Sequence, residues 1–102
     1  MKHDLSDFVK SANKASKLLK VISHPDRLLV LCHLSNGELS AGDLALRSKL
    51  KLSAFSQHLA ILRKAKLVQV RKNAQFVYYS IKDESVLTVM MALKDIYCPS
   101  LK

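Results

Sequence analysis

The sequence has few of the residues that would indicate anything other than a small folded domain. Its 102 residues include no tryptophan and only two each of cysteine, glycine and proline, while 49% are hydrophobic and 25% are charged. This balance excludes a disordered chain and predicts one globular domain over residues 1–102. Because so short a chain buries a limited fraction of its surface, we expect a partner subunit to cover more of it.

Long apolar runs are also missing. No run approaches the roughly 18 residues that a membrane helix needs, and residues 1–7 lead into no hydrophobic region of a signal peptide. We therefore expect a cytoplasmic protein with no membrane partner. In that compartment Cys32 and Cys98 are expected to be reduced thiols, which act either as core residues or as a redox device.

Acidic residues are absent from one long segment, residues 44–82, although the whole chain contains eight. Lysines and arginines continue through it, and the formal net charge of the chain is +9. A segregated block of bases predicts a polyanionic partner, because each neutralised phosphate releases counterions. The alternative is a solvated surface that only aids solubility. The bases of the segment are Arg47, Lys49, Lys51, Arg63, Lys64, Lys66, Arg71, Lys72 and Lys82.

Hydrophobic periodicity predicts a mainly α fold with one β-hairpin. Ser40 and Asp43 resemble a capping box at the start of the third helix, and the apolar second helix is expected to be buried almost all round. Two stretches rich in β-branched and aromatic residues, joined by a polar turn, predict the hairpin. The predicted helices cover residues 7–22, 25–34, 40–49, 53–65 and 86–97, and the strands cover residues 67–71 and 76–81.

Two short helices followed by a basic hairpin are typical of a winged helix-turn-helix, whose second helix enters the major groove of DNA. At about 100° per residue, one stripe of the fourth helix is apolar and is expected to face the core. The opposite side contains hydroxyls, an amide and bases, which suit phosphates and base edges; Gln57 can pair with adenine. The alternative is an ordinary solvated helix face. The core stripe is Leu52, Phe55, Leu59 and Leu62, and the opposite face is Ser53, Ser56, Gln57, Ala60, Arg63 and Lys64.

The hairpin and the edge of the fourth helix complete the predicted interface. Arg71, Lys72, Asn73 and Gln75 are expected to reach phosphates or the minor groove beside the reading helix. His58 lies next to the core stripe and is expected to pack or to form hydrogen bonds rather than to read a base.

Four segments resemble the ArsR/SmtB family of bacterial repressors: residues 23–32 (SHPDRLLVLC), 38–45 (ELSAGDLA), 55–63 (FSQHLAILR) and 77–79 (VYY). The resemblance implies a winged-helix homodimer that forms through its first and last helices and binds a pseudo-palindromic double-stranded DNA operator. Lys51 departs from the family, which usually has a serine at this position. Because a lysine cannot accept the capping hydrogen bond, we expect the fourth helix to start later or to be less well anchored.

The family's metal sites are not matched in this chain. Ser40 and Gly42 occupy the positions where an arsenic-type site needs two cysteines, and no histidine follows His58 for a zinc-type site on the last helix. We therefore predict no metal site and no cofactor. A metal bound by Cys32, His33 and a ligand from a second subunit stays open as an alternative.

The placement of Cys32 and Cys98 resembles the persulfide-sensing branch of the family, whose two thiols close a polysulfide bridge that lowers operator affinity. The resemblance implies a non-enzymatic repressor of sulfide-detoxification genes that responds to reactive sulfur species through these thiols. Peroxide sensing by disulfide formation shares the same residues. Further alternatives are a thiol enzyme using Cys32 and His33, a basic nucleic-acid-binding module without an effector, and two inert cysteines.

Overall fold

The computed structural model describes residues 5–98 and contains five α-helices and three β-strands within that range. None of the helices in this part of the chain is long and apolar enough to cross a membrane. The helices are α1 (Leu5–Ile22), α2 (Pro25–Leu34), α3 (Ala41–Ser48), α4 (Leu52–Lys64) and α5 (Glu84–Tyr97), and the strands are β1 (Leu39–Ser40), β2 (Val68–Asn73) and β3 (Phe76–Ile81).

Capping side chains set the starts of several helices. His24 Nδ1 accepts a hydrogen bond from the amide of Asp26 at 3.1 Å and so caps α2. Ser40 Oγ accepts a hydrogen bond from the amide of Asp43 at 3.1 Å, which confirms the predicted cap of α3. Lys51 occupies the N-cap of α4 without a side-chain capping bond, as expected from an ammonium group that can only donate, but the helix begins at Leu52 and not later at Ser53.

A single hydrophobic core lies between the helices and the sheet. From α4 it receives Phe55, Leu59 and Leu62, three of the four residues of the predicted core stripe. Burying a side chain of this size contributes about 1.5–3 kcal/mol, so this stripe fixes the rotation of α4 about its axis. The largest fully buried side chains are Leu31, Leu44, Leu62, Met90, Val30, Val68 and Val86.

Two predictions of burial are wrong. Leu52 is 72% exposed, because it is the first residue of α4 and extends beyond the core; it lines an open surface cavity with Ala41 and Gly42 instead. The second helix is not buried all round either, because Leu29 is 43% exposed on the side away from the core. Hydrophobic periodicity shows which side of a helix is apolar. It does not distinguish a buried apolar residue from an exposed one at the edge of the core.

The hairpin lies in a three-stranded antiparallel sheet with the order β1-β3-β2. Strands β2 and β3 pair from Val68 opposite Ile81 to Asn73 opposite Phe76, and Ala74 turns the chain with φ 56°. The sequence did not predict β1, which has only two residues and therefore shows no alternation. With α3, α4 and the hairpin in this order, the chain is a winged helix-turn-helix, as predicted.

Helix α1 buries little of its apolar stripe within one chain. Of its residues only Ile22 is buried, whereas Val9 is 58% exposed and Leu19 is 55% exposed. Helix α5 buries Val86 and Met90 but leaves other apolar side chains exposed. The first and last helices therefore present apolar faces that the other residues between 5 and 98 do not cover.

Candidate nucleic-acid interface and thiol pair

The outer face of α4 is open to solvent along its whole length. Ser53, Ser56, Gln57 and Lys64 are all exposed, while the opposite side of the helix packs into the core. The rotation predicted for α4 from its sequence therefore agrees with the structure at these four positions. Their side chains offer hydroxyl, amide and ammonium groups, which can bond to phosphates and to base edges in a major groove.

The wing, defined as β2, β3 and the turn between them, presents a second set of exposed side chains. Lys72 and Gln75 are exposed near its tip. Residues 44–82, which include α4 and the wing, contain no carboxylate. The exposed bases of these two elements therefore favour a polyanionic partner.

Arg71 has a partner within the chain, which the sequence did not reveal. Its Nη2 donates to Glu38 Oε1 at 2.8 Å and its Nε donates to Oε2 at 3.0 Å, in the bidentate geometry that guanidinium and carboxylate groups favour. The guanidinium also lies 4.6 Å from the centre of the Tyr78 ring. Its hydrogen bonds lower the pKa of Glu38. Arg71 therefore links β2 of the wing to Glu38, just before β1, and a phosphate would compete with Glu38 for it.

His58 packs from α4 against the start of α2, as expected from its position beside the core stripe. Its ring centroid lies 4.5 Å from that of His24, and its Nε2 lies 3.6 Å from Asp26 Oδ2. Burial lowers the pKa of His58, the neighbouring His24 and Arg27 lower it further, and Asp26 opposes them. A neutral ring is therefore favoured between α2 and α4.

His24, Asp26 and His58 also form a group with metal-ligating chemistry that no spacing in the sequence reveals. One ligand atom from each lies within 4.8 Å of the others. Asp26 Oδ2 lies 3.9 Å from His24 Nδ1 and 3.6 Å from His58 Nε2. His24 Nδ1 is moreover already used as the cap of α2. The observed contacts of the group are those of helix capping and ring packing.

The two cysteines lie at the neighbouring ends of α2 and α5. Cys32 is in the last turn of α2 and Cys98 caps the end of α5; both are free thiols and both are partly buried. Burial raises the pKa of Cys32, Lys94 lowers it, and the charge of Cys98 raises it. Lys94 and Cys98 are thus both part of the electrostatic surroundings of Cys32.

Lys94 links the two helix ends beside the thiols. Its Nζ donates to Ser35 Oγ at 2.5 Å and to Asn36 Oδ1 at 3.5 Å. Ser35 Oγ in turn donates to the carbonyl oxygen of Cys32 at 2.6 Å. The sequence did not predict this residue, because Lys94 and Ser35 come together only when α2 and α5 pack.

Comparison with known proteins gives consistent matches over nearly the whole chain. Residues 24–70 match the family described as bacterial regulatory protein, arsR family. The chain is 45% identical over 97 residues to the HTH-type transcriptional regulator YgaV of Escherichia coli, covering 94% of this chain and 98% of that protein.

Solved structures of similar proteins have the same fold. Reduced HlyU from Vibrio cholerae N16961 matches with a TM-score of 0.88 and 42% sequence identity, covering 92% of this chain and 99% of the other. The transcriptional repressor BigR from Xylella fastidiosa matches with a TM-score of 0.85 and 33% identity, covering 94% and 98%.

Proposed function

Because the chain belongs to the ArsR family of bacterial regulatory proteins, it is a transcriptional regulator, and we propose that it is a repressor whose DNA affinity falls when Cys32 and Cys98 react with persulfides or polysulfides. The observation that carries this proposal is the pair of free thiols at the neighbouring ends of α2 and α5. The two exposed basic elements, α4 and the wing, are the proposed DNA-binding surface.

The proposed DNA contacts divide into two kinds. Gln57 and the serines Ser53 and Ser56 face outward from α4, where they can reach base edges and phosphates of a major groove. Lys64, Arg71, Lys72 and Gln75 flank that helix and are proposed to contact the backbone. Arg71 can contact a phosphate only if its ion pair with Glu38 breaks, so Glu38 competes with the DNA backbone for Arg71.

A homodimer follows from the apolar faces of α1 and α5. Leu19 on α1 and Ile96 and Tyr97 on α5 are at least half exposed in the single chain. A second copy that covers these faces would present two α4 helices to the two halves of a pseudo-palindromic operator, about one turn of DNA apart. The proposal therefore places the thiol pair at the end of a helix that also forms the subunit contact.

The chemistry needs two thiols and one sulfur donor. The thiolate of one cysteine attacks the terminal sulfur of a persulfide, the sulfur–sulfur bond of the donor breaks, and its electron pair leaves on the donor thiolate. The modified cysteine now carries a persulfide. The second thiolate attacks the sulfur bonded to that side chain and expels hydrosulfide, which leaves a disulfide. If both cysteines carry a persulfide first, the same attack leaves a trisulfide and expels hydrosulfide.

The raised pKa of Cys32 bears on the rate of these steps. At neutral pH a thiol with a raised pKa is largely protonated and attacks slowly. Whichever thiol attacks the donor first, Cys32 reacts as a thiolate in one of the two steps, so bridge formation should become faster as the pH rises.

A bridge between α2 and α5 would affect DNA binding through the subunit contact. It fixes the end of α5 to α2, and α2 packs on α3 and α4. A small shift of α5 would then change the separation of the two α4 helices, which must match the spacing of the half-sites. Among the relatives, HlyU was solved in a form described as reduced and is named a transcriptional activator, and BigR is named a transcriptional repressor.

The experiment compares operator affinity before and after sulfur treatment. An operator duplex is first selected from a random pool with the reduced protein, and binding is followed by fluorescence anisotropy. We expect tetrasulfide to weaken binding by the wild type, whereas Cys32→Ser and Cys98→Ser bind normally and do not respond. A full response by either variant contradicts the dithiol mechanism. A matched arm with hydrogen peroxide tests the alternative effector, and stronger release by peroxide would replace persulfide with peroxide in the proposal.

A further inference from the structure

Lys94 lies one helical turn before Cys98 on α5. The amide of Cys98 donates to the carbonyl oxygen of Lys94 at 2.8 Å, so the last turn of α5 is intact up to the cysteine. Side chains four residues apart on a helix lie on the same face. The Lys94 ammonium group and the Cys98 thiol therefore leave α5 on the same side, toward the end of α2.

At the end of α2, Cys32 is likewise one turn away from a residue that contacts the Lys94 ammonium group. Ser35 follows Cys32 by one turn, and both its amide, at 3.2 Å, and its hydroxyl, at 2.6 Å, donate to the carbonyl oxygen of Cys32. Lys94 Nζ donates to that same hydroxyl at 2.5 Å and to Asn36 Oδ1 at 3.5 Å. One ammonium group is thus tethered within one turn of both cysteines.

Such a tether has a structural use, because a cation at the C-terminal end of α2 is favoured by the helix dipole. That use does not require the cation to lie within one turn of two cysteines. The position of Lys94 has a second consequence, because its charge acts on Cys32 directly, lowering the pKa that burial raises. A charge that stabilises a thiolate also attracts other anions to the same place.

On the basis of the proposed function, we infer that Lys94 determines effector specificity, because its tethered ammonium group draws polysulfide anions to the thiol pair in preference to uncharged oxidants such as hydrogen peroxide. The attack on a polysulfide expels an anionic sulfur leaving group and the attack on hydrogen peroxide expels hydroxide, so the leaving group does not distinguish the two oxidants. The charge that the polysulfide carries on approach does. Hydrogen peroxide brings no charge to the site and gains nothing from Lys94 on approach.

The charge around each sulfur can be measured with a pair of alkylating reagents that differ mainly in charge. Iodoacetate is an anion, iodoacetamide is neutral, and both consume the same thiolate. The ratio of their rate constants therefore cancels the thiolate fraction and reports the electrostatic field at the sulfur. The measurement uses the full-length reduced protein with a single reactive cysteine, Cys32→Ser for Cys98 and Cys98→Ser for Cys32.

We expect Lys94→Met to lower the iodoacetate-to-iodoacetamide ratio by about threefold or more at low salt, from the interaction of unit charges a few ångströms apart. Lys94→Arg should keep the ratio, and raising the salt concentration should bring the wild-type ratio toward that of Lys94→Met. Lys82→Met is the matched control, because it removes the same charge just before the start of α5, and the helix between it and Cys98 is about 21 Å long. If Lys94→Met does not fold, as judged by operator binding of the reduced protein, Lys94→Gln replaces it.

The effector itself supplies the second comparison. Rates of reaction with tetrasulfide and with hydrogen peroxide are each divided by the iodoacetamide rate of the same variant. Lys94→Met should lower the tetrasulfide value by about the factor seen with iodoacetate and leave the peroxide value unchanged. An unchanged tetrasulfide value or an unchanged alkylation ratio overturns the role of Lys94. If the ratios change as expected but tetrasulfide does not release wild-type protein from DNA, the proposed function fails while the electrostatic selection by Lys94 stands.

Discussion

At the scale of single residues, the protonation of His58 affects how α4 packs on α2. His58 fills the space between α2 and α4, and burial, His24 and Arg27 lower its pKa. In the unfolded chain the same ring takes up a proton near pH 6.5. The unfolded state therefore binds more protons than the folded state between the lowered pKa and about 6.5, and the free energy of unfolding increases with pH across that window.

The stability that a neutral His58 contributes is fully present above about pH 6.5 and is lost as the pH falls. We predict that the urea midpoint of the wild type decreases between pH 7.5 and pH 5.5 and that His58→Gln decreases less. The slope that remains in His58→Gln includes His33, whose pKa burial and Arg47 lower in the same direction. Equal pH dependence of the wild type and His58→Gln would contradict the assignment.

Gln57 is the residue of α4 best suited to read a base. It is exposed in the second turn of the helix, and its amide can bond to both hydrogen-bonding positions of adenine in the major groove. Gln57→Ala should cost roughly 1–3 kcal/mol of specific binding and relax the preference at one base pair. Titration against operator duplexes substituted at each position checks this, and an unchanged preference at every position would remove Gln57 from the reading face.

At the scale of elements, the sequence predicts what local chemistry determines. The cap at Ser40, the uncapped start at Lys51 and the orientation of α4 each depend on residues within one or two turns, and all agree with the structure. The two-residue β1 and the exposure of Leu52 depend on which elements come together, so no local pattern predicts them. For the same reason the partners of Arg71 and Lys94, at residues far away in the chain, appear only in the fold.

The wing is proposed to bind phosphates rather than bases. Lys72 is exposed and lies next to Arg71, which Glu38 already holds. Lys72→Ala should weaken binding to operator and random DNA about equally and reduce the salt slope by about one contact. Glu38→Gln is the opposite control, because it frees Arg71 and should steepen that slope. A loss of affinity confined to the operator would mean that Lys72 reads sequence instead.

For the whole molecule, the main question is what covers the apolar faces of α1 and α5. Leu19 on α1 is 55% exposed in the single chain, and so is available to a second copy. A charge placed at the centre of a subunit contact is expensive to bury unless it is paired. The proposed homodimer therefore predicts that a charged residue at position 19 weakens the subunit contact.

Leu19→Glu should shift the protein from dimer to monomer in sedimentation velocity and reduce operator affinity, because a monomer contacts one half-site. Leu46→Glu is the matched control: Leu46 is 78% exposed on α3, outside the proposed contact, and the variant should remain dimeric. A dimer of unchanged stability in Leu19→Glu would contradict the assignment of α1 to the interface.

Intact mass measured separately on released and DNA-bound protein is the most direct test of the switch. The operator complex is treated with a limiting amount of tetrasulfide, and the released and DNA-bound proteins are separated. The intact mass of each is then measured without reducing agent. The released protein should have two hydrogens fewer than the reduced chain, with or without added sulfur, and peptide mapping should join Cys32 to Cys98 in one chain. The bound fraction should keep the reduced mass. Released protein with unmodified cysteines, or bridged protein that stays on the operator, would contradict the account.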